Sequence, residues 1–219
     1  TVTGADVSEP MLARARVRAK GLANVSFVTA DAQAHDFTAR SFDFVASRFG
    51  VMFFGDFAAA FTNLRRTLVP GGRLGFVCWQ AIEKNPWMNV PMQVVLRHVE
   101  PPPPPVAPGA PGPFALDDPD RIRRALDAAG WADVAIDPVD EPQNVGGSRT
   151  LDEAVSFLMV AGPAAAALKG ATPEMRERFA TALHEALAPY VTARGVVLPG
   201  AAWIVTARAG ERPASHTRL

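Results

Sequence analysis

The sequence predicts an α/β fold built on a mostly parallel sheet, and three observations lead to this prediction. Short β-rich runs such as residues 25–29 alternate with amphipathic helical patterns along the first part of the chain. Residues 73–79 are almost entirely apolar, as expected for a strand that is covered on both faces in a parallel sheet. Gly21 and Gly130 each follow a helical pattern, where glycine commonly ends a helix.

The first strand ends at Asp6 and leads directly into a helix. Ser8 is suited to cap this helix and Pro10 to its first turn, so we expect a helix from about Glu9 to Lys20. A carboxylate at the carboxyl end of a strand that feeds a helix lies where open α/β sheets bind nucleotides. Two interpretations of Asp6 stay open: it is a ribose ligand, or it only caps or turns the chain.

Three further strand ends carry polar or aromatic residues. The second strand runs into Asp31 and Ala32, the third runs into the aromatic-rich segment 48–54, and the fourth ends in Trp79. Because the ends of parallel strands open on one side of a sheet, where ligands bind, we expect these residues to share a site. An aspartate after a strand is often only a turn residue, and this alternative applies to Asp31 as well.

The remaining pattern combines turns, further helices and two strands. We expect a sharp turn at residues 70–72, helices at residues 91–99 and beginning near Asp118, Thr150 and Thr172, and strands at residues 131–138 and 202–208. Prolines dominate residues 101–113, which indicates polyproline II. A stiff surface connector is favoured for this run over a ligand for an SH3-type domain.

Composition excludes several classes of protein. Lysine and arginine together number 22 in the 219 residues, as do aspartate and glutamate, so no excess charge indicates nucleic acid or an anionic membrane as a partner. No apolar run is long enough to span a membrane. The single cysteine, Cys78, excludes an internal disulfide and favours a reducing compartment, the cytoplasm. The four histidines show no metal-ligand spacing, so we predict no metal site.

Four segments, taken in order, resemble a known family. Residues 4–12, 30–32, 42–54 and 64–74 are similar to class I S-adenosylmethionine-dependent methyltransferases. The resemblance is to the small-molecule branch, methyltransferase type 11, which is related to the enzymes of ubiquinone and menaquinone biosynthesis. It covers the chain closely to about residue 80, and more loosely over residues 117–137 and the last strand. The implied fold is a Rossmann-like three-layer sandwich with helical lid insertions.

The resemblance also implies roles for individual residues, with S-adenosylmethionine as the cofactor. Asp6 would hold the ribose hydroxyls, and Val7 and Met11 would flank the adenine. Asp31 and Ala32 would read the adenine edge. The residues near the methionine end of the cofactor would be Ser47, Arg48 and Phe49. Met11 has an equally good interpretation as a core residue of an amphipathic helix.

The resemblance divides the chain into five segments. These are a partial cofactor-binding Rossmann-like core (1–80), a proline-rich connector or lid (81–116), a core helix and strand (117–142), a helical substrate lid (143–200), and the last core strand with a tail (201–219). The residues expected to contact the substrate are Phe53, Trp79, Trp87 and Met88. Because the lid is rich in Ala, Leu, Met and Phe, we expect a small, fairly apolar or aromatic methyl acceptor. For Phe53 taken by itself, a place in the core is favoured over a contact with the substrate.

No catalytic residue is predicted. Methyl transfer to a nucleophilic acceptor depends mainly on alignment, a proximity effect worth up to roughly 7 to 11 kcal/mol, and it needs little acid–base help. His35 could reach an acceptor as a base, but nothing in the sequence assigns it that role.

The chain departs from the family at its start. The family's first strand and the glycine-rich loop that follows it have no counterpart, and would lie just before Thr1. We therefore expect a fragment in which two central strands have unpaired edges. We also expect this fragment to fold poorly and to bind the cofactor weakly or not at all.

Two other classes of function stay open at this point. One is a fragment of an NAD(P)-dependent oxidoreductase, because that fold also has a ribose-binding carboxylate after its second strand. Asp31, Ala32 and the segment 70–72 weigh against it. The other is a non-catalytic domain that keeps the methyltransferase fold without the cofactor.

Overall fold

The computed structural model describes residues 1–98, 107 and 109–210 of the chain. In chain order its elements are β1 (Val2–Asp6), α1 (Glu9–Arg18), β2 (Val25–Thr29), β3 (Phe42–Arg48), α2 (Phe57–Thr67), β4 (Leu68–Trp79), α3 (Pro86–His98), α4 (Pro119–Ala128), β5 (Trp131–Asp140), β6 (Gln143–Asn144), α5 (Leu151–Val160), α6 (Gly162–Ala167), α7 (Pro173–Leu187), β7 (Val191–Thr192), β8 (Gly195–Leu198) and β9 (Ala201–Ala209). The predicted α/β class with a mostly parallel central sheet is confirmed.

The described strands form three sheets. β1 and β2 make a parallel pair, and a second sheet has the strand order β3-β4-β9-β5. In the third sheet β8 lies between β6 and β7 and is antiparallel to both. Among the described strands, β1 pairs only with β2 and β3 pairs only with β4. One edge of β1 and one edge of β3 are therefore unpaired within the described part of the chain.

The chain forms two compact units. The first consists of Thr1–Phe76, Asp120–Ile136 and the described residues from Val205 to Gly210. Its core contains the ring pair Phe61 and Phe76, whose centroids lie 5.5 Å apart. The indole of Trp131 donates a hydrogen bond to the backbone oxygen of Phe61, so β5 is fixed against α2.

The second unit consists of Val77–Pro119 and Asp137–Ile204 and has its own apolar core. Helices α3, α5 and α7 and strand β8 supply most of this core, together with Val145 and Leu168. Its buried members are Val94, Val95, Val145, Ala154, Val155, Leu158, Leu168, Phe179, Leu183, Leu187, Val196 and Leu198. The segment predicted as a helical lid thus buries its own apolar side chains, and its sheet of very short strands was not predicted.

The starts of α1 and α5 show which local sequence signals were sufficient to predict where a helix begins. Ser8 accepts a hydrogen bond from the Met11 amide at the start of α1, and Thr150 does the same for the Glu153 amide at the start of α5. Helix α1 ends at Arg18, two residues before the predicted Lys20. These capping residues identified both starts from the sequence.

Helix α3 begins five residues earlier than predicted. The amides of Met88 and Asn89 both donate to the backbone oxygen of Asn85, and Pro86 fits a first helical position because it has no amide hydrogen there. The sequence pattern predicts a start at Pro91, but this residue lies inside the helix and is buried. Burial of its ring accompanies the loss of one helical hydrogen bond.

The predicted turn at residues 70–72 is not a separate turn, because these residues lie within the bounds of β4. The chain still bends tightly there. Gly71 has φ +73°, and a Cβ atom on Gly72 would lie 3.0 Å from the Val69 oxygen and 3.3 Å from the Asp43 oxygen. Most of the predicted polyproline II run at residues 101–113 lies outside the described residues. None of the helices described is both long and apolar enough to cross a membrane.

Candidate functional site

The carboxyl ends of β1 and β2 bring Asp6 and Asp31 to one edge of the two-stranded sheet. The strands are parallel and Asp6 is in register with Thr29. The Ala30 amide donates to the backbone oxygen of Asp6 over 2.9 Å, so Asp31 follows the residue that is tied to Asp6. The sequence predicted this juxtaposition from the two strand ends alone.

Each carboxylate uses one oxygen to stabilise its own loop. Asp6 accepts a hydrogen bond from the Ser8 amide over 2.8 Å, and Asp31 accepts one from the Gln33 amide over 2.9 Å. These are the local turn contacts that aspartate commonly makes. Within the part of the chain that is described, the second oxygen of each side chain accepts no hydrogen bond. Both aspartates therefore stabilise turns, and each still has one carboxylate oxygen available as an acceptor.

Val7 and Met11 lie at the start of α1 and are strongly exposed. Their exposed fractions are 69% and 64%, whereas Leu12 is the residue of α1 that is buried. The interpretation of Met11 as a core residue is therefore not supported. Two apolar side chains next to a carboxylate form a surface that suits the face of a base.

The end of β3 leads into a strained residue. Ser47 accepts a hydrogen bond from the Gly50 amide over 3.3 Å. Phe49, which lies between them, has φ +58°, in the left-handed region that bulky side chains rarely adopt. Phe49 is half-buried and Arg48 is exposed. Backbone strain of this kind is common at ligand sites, which makes this loop a candidate for one.

Two amide side chains that no sequence pattern indicates hold the loop after β2. Gln33 accepts hydrogen bonds through its side-chain oxygen from the amides of Gly55 and Asp56, over 2.7 and 3.0 Å. Asn63, on α2, donates to the backbone oxygens of Ala32 and His35 over 3.1 and 2.9 Å. The loop that carries Asp31 is thus fixed to α2 and to the segment before it. No sequence spacing marks such contacts, since both amides act on distant backbone.

Of the predicted substrate residues, Phe53 lies in the first unit. It ends a single 3₁₀ turn, Val51–Phe53, in which Val51 and Met52 are buried and Phe53 is 56% exposed. Its interpretation as a core residue is therefore not supported.

The other three predicted substrate residues lie in the second unit. Trp79, at the end of β4, is only 8% exposed, and Met88 on α3 is also nearly buried. Trp87 is half-buried, and its ring centroid lies 4.9 Å from that of Trp79 with a tilt of 56°. Most of the accessible surface of this aromatic pair therefore belongs to Trp87.

Chemical groups that could carry covalent or metal chemistry are sparse in the described residues. The Cys78 thiol donates to the Leu116 backbone oxygen over 3.5 Å. Burial raises the pKa of this thiol to about 12, and the negative charge of Asp117 adds to the shift. The described part of the chain contains no group of three or more His, Cys, Asp or Glu side chains that could hold a metal. The His35 ring packs edge-on against Phe37, with centroids 4.4 Å apart.

The sequence profile of the methyltransferase domain family matches residues 1–76. A demethylmenaquinone methyltransferase of Thermus thermophilus is 48% identical over 75 residues, which is 33% of this chain and 34% of the relative. The match thus spans about a third of the length of that relative. The region of similarity contains both carboxylates and the loop after β3.

Solved structures show a similar fold over nearly the whole chain. The YcgJ protein of Bacillus subtilis aligns with a TM-score of 0.58 at 17% identity, covering 96% of this chain and 82% of that chain. A Haemonchus contortus phosphoethanolamine N-methyltransferase, solved with phosphomonomethylethanolamine and S-adenosylhomocysteine, aligns with a TM-score of 0.52 at 16% identity, covering 96% and 44%. These likenesses establish the Rossmann-like fold that the sequence predicted.

Proposed function

We propose that this chain belongs to an S-adenosylmethionine-dependent methyltransferase that acts on a small, fairly apolar or aromatic acceptor. The observation that carries the proposal is the pair Asp6 and Asp31, on adjacent strand ends, each with one carboxylate oxygen available. The match of residues 1–76 to the methyltransferase domain family supports it independently.

The residues at the strand ends fit the two polar parts of an adenosine group. A carboxylate can accept hydrogen bonds from both hydroxyls of a ribose, and the free oxygen of Asp6 is suited to this role. Asp31 is suited to accept from the exocyclic amine of the adenine, and the Ala32 amide is suited to donate to a ring nitrogen. The exposed Val7 and Met11 side chains would cover the faces of the base.

The proposed chemistry requires positioning more than proton transfer. The cofactor, when bound, would supply a methyl group that is activated by a positively charged sulfur. In this proposal the loop Ser47, Arg48 and Phe49 holds the methionine end. No residue of the chain is assigned as a base, which agrees with a reaction governed by alignment.

The acceptor proposal rests on the second unit and on one relative. The Trp79 and Trp87 pair offers an aromatic surface, and Trp87 has the larger accessible part. The Thermus thermophilus relative is named a demethylmenaquinone methyltransferase, and that name gives a quinone as the methylated compound. Both observations support a flat acceptor for this chain, and we propose an aromatic one. A cytoplasmic location also stays a proposal, based on the single cysteine.

Calorimetric titration of S-adenosylmethionine into the complete protein of this reading frame tests the cofactor site. Asp6→Asn keeps an oxygen for the Ser8 amide but loses the charge, so we expect affinity to fall about 10- to 100-fold, since hydrogen bonds to charged groups contribute roughly 1.5 to 3 kcal/mol. Asp31→Asn should act similarly. Asp127→Asn, an exposed residue on α4, is the matched control and should bind as the wild type does.

The same titration separates the alternative functions. Equal affinity in wild type and Asp6→Asn would contradict the proposed role of Asp6. Tighter binding of NAD⁺ or NADP⁺ than of S-adenosylmethionine would favour an oxidoreductase, which the family match does not favour. Absence of binding by any of these ligands would favour a non-catalytic domain that keeps the fold.

A further inference from the structure

Asn85, just before α3, has an unusually complete set of side-chain hydrogen bonds for a residue that is 0% exposed. Its amide nitrogen lies 3.0, 3.1 and 3.0 Å from the backbone oxygens of Gln80, Ala81 and Ala201, and donates to them. Its side-chain oxygen accepts from the Ala201 amide over 2.9 Å and from the Trp87 indole over 3.1 Å. Both ends of this amide are therefore fully used in the interior of the second unit.

The hydrogen bonds of Asn85 to backbone join the end of β4 to the start of β9. Hydrogen bonds made by Gln80 join the same two segments. The Gln80 amide donates to the Ala201 oxygen over 3.0 Å, and the Gln80 side chain donates to the Ala202 oxygen over 2.8 Å. These two bonds tie the same two segments together without Asn85. The contact that only Asn85 makes, among those described, is the one to the Trp87 indole.

That contact fixes the direction of an aromatic ring. The indole N–H of Trp87 lies on one edge of the ring, so a hydrogen bond to a rigid acceptor limits rotation about the bond that joins the ring to the chain. The Trp87 ring is also in contact with Trp79, with centroids 4.9 Å apart. Because Asn85 is itself held by four backbone contacts, it is a rigid acceptor.

We propose that Asn85 is a positioning residue for the acceptor: it orients the Trp87 ring on Trp79 and so sets the aromatic surface against which a flat acceptor stacks. This proposal rests on the function proposed above. Asn85 does not itself touch the acceptor, because it is completely buried. Aromatic stacking depends on ring orientation, so a rotated Trp87 would bind a flat ligand less well while leaving the cofactor site unchanged.

The orientation step can be tested without any enzymatic activity. In ¹⁵N NMR spectra of the complete protein, Trp87→Phe identifies the Trp87 indole signal by its loss. We expect Asn85→Ala to move this signal and to speed its hydrogen exchange at least about tenfold, because the acceptor is gone. The indoles of Trp131 and Trp203 donate to the backbone oxygens of Phe61 and Asp117, so they serve as internal controls and should not change.

The acceptor step is tested with 1,4-naphthoquinone as the probe, whose binding is followed by quenching of tryptophan fluorescence. We expect Asn85→Ala to raise the Kd of the probe about tenfold in the wild-type background and less than twofold in the Trp87→Phe background. S-adenosylmethionine affinity should stay the same in all variants. Because the probe needs no methyl transfer, a protein that fails to bind the cofactor refutes the proposed function without deciding the role of Asn85.

Two results would overturn the role of Asn85. One is a Trp87 indole signal and a probe Kd that Asn85→Ala leaves unchanged. The other is an equal rise in Kd in both backgrounds, which would show that Asn85 acts only through the structure of the unit. If Asn85→Ala does not fold, replacement of Trp87 by 3-benzothienylalanine decides, because this analogue keeps a bicyclic ring of the same shape and puts sulfur in place of the N–H group. In that case a Kd within twofold of the wild type contradicts the proposal, and a larger rise supports it.

Discussion

The residues at the strand ends combine two roles that the sequence presents as alternatives. A carboxylate has two oxygens, and Asp6 and Asp31 each use one to fix the loop that follows their strand. The loop contact holds the side chain in place, so the free oxygen has a defined position. A turn aspartate and a ligand aspartate are therefore compatible interpretations of one residue, and the binding role is the one that needs measurement.

Backbone strain at Phe49 gives a prediction with a matched control. Phe49 and Arg40 have nearly the same positive φ, +58° and +53°, but only Phe49 lies at a predicted site. Arg40→Gly should stabilise the protein by about 0.5 to 1 kcal/mol, because it relieves roughly 1 to 2 kcal/mol of left-handed strain at an entropic cost of roughly 0.5 to 1 kcal/mol, and it should leave cofactor affinity unchanged. Phe49→Gly should weaken cofactor binding.

Thermal unfolding and calorimetry on the two variants check this prediction. Phe49→Gly also removes a half-buried ring, so its gain in stability should be smaller than that of Arg40→Gly. Cofactor affinity equal to that of the wild type in Phe49→Gly would remove Phe49 from the site.

The buried thiol of Cys78 gives a prediction about reactivity. Its pKa is raised from 9.0 to about 12, first by burial and then by the charge of Asp117. At pH 8 the folded protein should react with a thiol reagent at least about a thousandfold more slowly than the protein in urea, because only the thiolate reacts. Since the unfolded thiol ionises first, the folded state should lose this part of its stability as the pH rises from 9.0 toward 12. Rapid labelling of the folded protein at pH 8 would contradict the burial of Cys78.

Among the elements, the loop after β2 gives the most direct test of how the adenine site is held. Gln33→Leu removes the oxygen that accepts from the Gly55 and Asp56 amides, so the loop should loosen. We expect cofactor affinity to fall about three- to tenfold, from the loss of hydrogen bonds worth roughly 0.5 to 1.5 kcal/mol each. Gln33→Glu keeps an acceptor oxygen and is the matched control, with affinity near that of the wild type in calorimetry. Equal losses in both variants would indicate that the contacts do not hold the site.

Helix starts and strand bounds could be predicted from the sequence where neighbouring residues determine them. The capping residues Ser8 and Thr150 marked helix starts, and strand β2 was predicted with the bounds that the structure gives. The predictions were wrong where contacts between distant parts of the chain determine the bounds of an element. Helix α3 starts at Pro86 because Asn85 is fixed by distant backbone, and no spacing in the sequence reveals this. Strands of two to four residues, such as β8, are too short for an alternating pattern.

The candidate site divides in the same way. The carboxylates were predictable because their place depends on strand ends, which local patterns identify. The amide side chains that hold loops in place, Gln33 and Asn63 in the first unit and Asn85 in the second, were not predictable, since each acts on backbone remote in sequence. The exposed fraction of a side chain was also not predictable from the sequence. Met11 and Phe53 are both more than half exposed, and this argues against a core role for them.

At the scale of the whole molecule, β1 and β3 each have an edge that no described strand pairs with, and this has a consequence for association. Free strand edges next to apolar side chains favour pairing with other chains, and Val2 and Phe44 are both at least half exposed. We expect this chain to self-associate at micromolar concentration in light-scattering experiments. The double variant Val2→Lys with Phe44→Lys should reduce the association.

Val160→Lys is the matched control, because Val160 is 79% exposed on α5 and lies on no strand edge. It should leave the association unchanged. If Val160→Lys disperses the chain as well as the double variant does, the association depends on exposed apolar surface in general and not on the strand edges.

The central claim is that an adenosine-containing methyl donor binds at the ends of β1, β2 and β3. Mapping S-adenosylhomocysteine onto the complete protein by ¹⁵N NMR tests it most directly. We expect the titration to shift the amide signals of Val7, Ala32 and Phe49 with a single Kd and to leave the signals of α4 and α7 unchanged. Shifts confined to other elements, or no shifts at saturating ligand, would contradict it.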